Sequence, residues 1–101
     1  MSDRLGRAIE SFRKGNHKRA ILELNQILFD EPDNWAARLY LGMAYASAGE
    51  AQNSLRQFYN IYLKCPEAEL RAKSRLLLPP HLLEQAKIEL LQTSEADPWS
   101  L

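Results

Sequence analysis

The sequence predicts an all-α protein made of consecutive antiparallel helix hairpins. Three observations predict it. Chain breakers recur at a fixed spacing, with Gly15 and Gly49 standing 34 residues apart and Pro32 and Pro66 also 34 apart. Between the breakers, apolar residues follow the 3.6-residue period of a helix. No stretch of useful length alternates apolar and polar as a strand would.

The first helix carries Leu5, Ala8, Ile9 and Phe12 as one stripe, closed by Gly15-Asn16. Glycine accepts the left-handed backbone after a helix end, and Asn16 is placed to cap the next helix. Ala20, Ile21, Leu24, Ile27 and Leu28 form the face of the second helix. Asp30-Glu31-Pro32-Asp33-Asn34 stops it and restarts the chain, because the residue before proline leaves helical geometry and Asp33 or Asn34 can cap a third helix. The third helix has two apolar sides. Trp35, Leu39, Gly42, Met43 and Ala46 fall on one and Leu41 and Tyr45 on another, as expected of a helix packed on both neighbours. Gly49-Glu50 ends it. Leu55, Phe58, Ile61 and Tyr62 line the fourth helix, which Pro66 stops.

The two units align in register. Ala8 maps onto Gly42, Ala20 onto Ser54, Ile21 onto Leu55, Leu24 onto Phe58 and Ile27 onto Ile61. Small residues at Ala8 and Ala20, and at Gly42 and Ser54, let antiparallel axes approach to the short end of the roughly 8–10 Å packing range. A third unit is less regular. A helix is expected from Glu67 to Leu78 with Leu70, Leu76 and Leu77 on its apolar side. Pro79-Pro80 then breaks the chain earlier than the repeat would, and Pro80 opens a last amphipathic helix carrying Leu82, Leu83, Ala86, Leu90 and Leu91 to about Thr93. The expected organisation is residues 1–34, 35–66, a degenerate hairpin or cap at 67–93, and a tail at 94–101 holding Trp99 and Leu101.

Composition narrows the function. The chain has 101 residues, enough for one modest core, with 13 basic and 13 acidic residues and zero formal net charge. A neutral chain has no global pull toward nucleic acid or an anionic membrane. No run reaches the roughly 18 apolar residues that span a bilayer, and the N-terminus lacks the apolar stretch of a signal peptide. The single cysteine, Cys65, cannot form an internal disulfide. A cytoplasmic protein is expected. His17 and His81 are far apart and Cys65 has no neighbouring ligand, so no metal site is expected. No phosphate-binding glycine loop is present. The pairs Glu67 with Glu69 and Glu84 with Glu89 read as solubilising charges on exposed helix faces. No cofactor and no catalytic residue is expected.

The pattern Leu41-Gly42-Met43-Ala44-Tyr45, followed by Gly49, Ser54, Phe58, Ile61 and Pro66, resembles the tetratricopeptide repeat. The first unit matches it through Ala8, Gly15, Ala20, Leu24, Ile27 and Pro32, with Ser11 in place of the family's aromatic. The family's usual tryptophan position holds Arg38. The resemblance covers residues 3–66. It implies a right-handed α-solenoid of two repeats plus the degenerate third hairpin. It also implies a concave groove, lined by the first helix of each hairpin, that binds a peptide or amphipathic helix of another protein. Carried over by position, that groove holds Leu5, Ile9, Phe12, Arg13, Leu39, Tyr40, Met43, Ser47 and Leu70, with Lys73 and Ser74 beyond. The places where some relatives clamp a carboxylate hold Leu5, Ile9, Tyr40, Leu70 and Ser74, which offer few donors.

The expected function is therefore that of an adaptor or small chaperone. Self-assembly through the Leu-rich face of residues 82–91 is the alternative, giving a homo-oligomer. The third hairpin itself is a rival occupant of the groove. The cluster Arg13, Lys14, His17, Lys18 and Arg19 reads first as a solvated turn and second as a surface for an acidic partner or nucleic acid.

Overall fold

The computed structural model describes residues 3–96, with side chains described through residue 92. Six helices follow one another: α1 (Arg4–Arg13), α2 (His17–Asp30), α3 (Trp35–Ser47), α4 (Ala51–Lys64), α5 (Ala68–Leu77) and α6 (Pro80–Ala96). No strand occurs among the described residues. The tail residues Trp99 and Leu101 lie outside them.

The breakers act as the sequence predicts. Gly15 and Gly49 adopt φ of +85° and +84°, a region that side chains with a Cβ disfavour. Asn34 Oδ1 accepts from the Ala37 amide at 3.0 Å and caps α3. Asn16 differs, because its side chain makes no capping bond to α2.

Each helix packs on the next as far as α5, and α1 also touches α3, as α3 touches α5. Two cores result. The first gathers Ala8, Ala20, Leu24, Ile27 and Leu28 with Ala37, Leu41 and Ala44 of α3. The second gathers Leu39, Phe58, Ile61, Cys65 and Leu78, with Trp35, Met43, Leu70 and Leu82 packed against it. Helix α3 feeds both, which is why it is apolar on two sides.

The tightest joint lies between α3 and α4. Ser54 Oγ donates to the Gly42 carbonyl at 2.7 Å, in a buried bond. The Phe58 ring lies directly on Gly42: a Cβ there would stand 2.6 Å from Phe58 Cε1. Glycine at 42 is thus a packing requirement, and it outweighs the propensity of about 1 kcal/mol that alanine would add to the helix.

The C-terminal third corrects three expectations. Helix α5 ends at Leu77, and Leu76 and Leu77 point to solvent, Leu76 at 85% exposure. Leu78, just past the helix end, turns into the second core instead. Ser74 occupies the buried face of α5, with no exposed surface and no hydrogen-bond partner among the described residues. It is therefore not a groove residue. Finally, α6 rests on α4 and makes little contact with α5. Only Leu78 and Pro79 lie between them, and the expected third hairpin is not closed by packing of α6 on α5. Arg71 Nη1 holds the start of α5 by donating to the Cys65 carbonyl at 2.7 Å.

Gly42→Ala should lower stability by up to about 2 kcal/mol, an overpacking loss of about 1–3 kcal/mol less about 1 of regained helix propensity. Urea unfolding reads it as a lower midpoint at unchanged slope.

Candidate functional site

The wall formed by α1, α3 and α5 holds most of the groove residues anticipated from sequence. Phe12 and Tyr40 meet edge to face across α1 and α3, ring centroids 6.3 Å apart. Aromatic pairs favour this geometry because the positive ring edge faces the negative ring face. Leu5, Phe12 and Tyr40 pack against the first core and stay partly open to solvent. Ile9 is likewise half-buried, and Met43 and Leu70 pack partly exposed against the second core. Arg13 and Ser47, at the C-terminal ends of α1 and α3, are exposed.

Leu39 departs from the expected set. It is 8% exposed and sits in the second core with Phe58 and Ile61. One step along a helix rotates a side chain by about 100°, so Leu39 turns toward α4 while Tyr40 remains on the open wall. Leu39 is a core residue.

At one end the wall runs into the α1–α2 turn. The Phe12 ring lies 6.2 Å from the His17 ring. Beyond it, an open cleft of about 650 Å³ is lined by Gly15, Asn16, His17, Lys18, Arg19, Ser47 and Ala48. At the other end of α3, the Arg38 guanidinium lies 5.6 Å from the Trp35 ring centroid, and its Nη1 donates to Gln57 Oε1 at 2.9 Å. Arg38 thus braces α3 against α4.

Two further features are not apparent from the sequence pattern. Leu22 and Phe29 stand on the outer face of α2, Phe29 at 87% exposure, beside a shallow cleft that also includes Arg4, Asn25, Gln26 and Asp30. Their spacing of seven residues was the available signal, since it sets them opposite the buried Leu24 and Ile27. The second feature is an open cleft of about 350 Å³ between α4 and α6, lined by Gln52, Leu55, Arg56, Tyr59, His81, Leu82 and Gln85. Beside it the Tyr59 hydroxyl donates to Glu89 Oε1 at 2.5 Å. Desolvation, then the bond to this carboxylate, pushes the Tyr59 phenol up to about 12 from an ordinary value of 10.0.

The described residues hold no group of three or more His, Cys, Asp or Glu side chains placed to bind a metal ion. None of their helices is long and apolar enough to cross a membrane. Cys65 is buried and free. Comparison of the chain with protein-family models, curated proteins and solved structures found no match.

The Tyr59–Glu89 bond makes α6 docking sensitive to alkali. A phenol raised in the folded state stabilises the fold fully below its unfolded value of about 10 and loses that contribution as pH rises through about 12. Tyr59→Phe should remove this part of the alkaline loss and modestly weaken α6 at neutral pH. Thermal melts of both proteins between neutral pH and pH 12 check it.

Proposed function

We propose that the chain is a short tetratricopeptide-type stack, right-handed in sense, that works as a protein-interaction module. Its task would be that of an adaptor or small chaperone, binding an amphipathic helix or peptide of another protein on the α1–α3–α5 wall. The arrangement of helices supports the stack. The odd-numbered helices touch one another, whereas α2 and α4 make little contact, and such asymmetry curves a stack with its odd helices inside. The proposed site is Phe12, Tyr40 and Met43 at the centre, with Leu5, Ile9 and Leu70 flanking it and Arg13 and Ser47 at the rim.

The observation that carries the reading is the Phe12–Tyr40 pair left half open on a wall that α6 does not cover. Aromatic and Met side chains supply large apolar area at low entropic loss, and they adapt to varied partner side chains. No reaction or cofactor is assigned to the chain, and the cytoplasm is the proposed location.

A second reading has its own observation. Leu76, Leu77, Ile88 and Leu91 are exposed on the C-terminal third. Ile88 and Leu91 lie on the side of α6 away from the buried Ala86. A helix with apolar residues on every side is usually covered, so self-association through this end is the alternative. Light scattering over a concentration series separates the two, since a strictly monomeric protein excludes it.

Met43→Glu should abolish capture of the partner from extracts of cells that express the protein, with helicity by circular dichroism little changed. Capture of the same proteins at wild-type yield would remove the groove assignment.

A further inference from the structure

The α1–α2 turn carries more positive charge than its surroundings neutralise. Arg13, Lys14, His17, Lys18 and Arg19 fall within one turn of chain. Lys14 lies 3.9 Å from Glu10, both exposed, and the exposed Arg19 lies 3.5 Å from the half-buried Glu23, each pair one helical turn apart. Such pairs hold little energy. Arg13 and Lys18 have no ion-pair partner among the described residues.

Their placement works against the fold. Helix α2 starts here with no side-chain cap and no acid in its first turn. A helix N-terminus carries partial positive charge and favours Asp or Glu, yet Lys18 and Arg19 occupy these positions. His17 Nδ1 is buried with no hydrogen-bond partner.

The opposite end of the first hairpin is acidic. Asp30, Glu31 and Asp33 gather there, and Arg4 bonds to Asp30 at 2.7 Å and to Glu31 at 3.1 Å. The first hairpin is thus basic at one end and acidic at the other. Its basic end joins the apolar wall directly, through Tyr40, Phe12 and His17 in successive ring contact.

We infer that, resting on the groove reading above, the segment bound by this wall is an apolar stretch of a partner protein with a block of Asp or Glu at one end. The acidic block lies in the cleft between the α1–α2 turn and Ser47-Ala48, and the apolar stretch covers Phe12, Tyr40 and Met43. Opposite charges at the two ends of the first hairpin then fix the direction in which the segment lies. Nucleic acid suits the surface less well. Glu10 and Glu23 border the basic cluster, the continuing wall is apolar, and a phosphate backbone calls for a longer basic track.

Three synthetic amphipathic peptides of about 18 residues, roughly 27 Å as a helix, test this with the full chain. They share one Leu/Phe stripe and differ only in a terminal block of Glu, Gln or Lys. Fluorescence anisotropy should show the Glu peptide binding at least about tenfold tighter than the Lys peptide, with the advantage shrinking severalfold from roughly 50 to 300 mM salt. The double variant Arg13→Glu/Lys18→Glu should reverse the preference between the Glu and Lys peptides. Both sites are exposed and unpaired, and an acid at 18 suits the helix N-terminus, so folding should survive, as a thermal melt verifies. Equal binding of the Glu and Lys peptides, or an unchanged preference in the variant, overturns the inference and leaves the groove intact. Failure of all three peptides to bind, or binding that Met43→Glu does not weaken, overturns the groove reading and this inference with it. A single-stranded RNA oligonucleotide that displaces the Glu peptide at the higher salt would assign the cluster to nucleic acid instead.

Discussion

The structure depends on the close approach of α3 and α4 at Gly42. The Phe58 ring lies where any Cβ at 42 would project, and Ser54 fastens the same point by donating to the Gly42 carbonyl. This joint brings the α4 axis near enough for Leu39, Phe58 and Ile61 to share one core. It also fixes the orientation of α3 about its own axis. With Gly42 and Leu39 turned to α4, Leu41 and Ala44 turn to the first core, and Tyr40 is left facing Phe12. The open wall is thus the remainder after two cores have claimed the other sides of α3. A change at Gly42 would move the wall without touching it.

The helices were legible because their punctuation and small residues each have one physical meaning. Gly15 and Gly49 mark left-handed turns, and the paired small residues mark close helix contacts. Asn34 caps α3 as its position suggests. Rotation about a helix axis was less legible. Leu39 and Tyr40 are adjacent in the chain, and both suit a groove by type, but only the packing of α4 decides which is covered. Asn16 has the right identity and position for a cap and does not make the bond. Cap propensity is local, while the backbone here is set by Gly15 and by the Asn16 amide bonding back to the Ser11 carbonyl.

The C-terminal third was legible as helix and not as packing. Three consecutive leucines at 76–78 fit several apolar stripes equally well, and the sequence alone does not say which leucine turns inward. Shortening α5 makes the choice: Leu78 enters the core from beyond the helix end, and Ser74 takes the buried face. A small hydroxyl there suits a helix pressed close to its neighbour, where leucine would overfill the space.

The position of α6 bears on the wall, because it packs on α4 and makes little contact with α1, α3 or α5. With the turn reduced to Leu78-Pro79, α6 leaves α5 at once and lies along α4, where Leu82, Leu83 and the Tyr59–Glu89 bond hold it. Its remaining large apolar residues, Ile88, Leu90 and Leu91, stay exposed. Two separate apolar surfaces result. One is the aromatic wall beside the basic turn, and the other is the leucine-rich end of the chain. They lie on different helices and carry different neighbouring charges, so occupation of either need not displace the other.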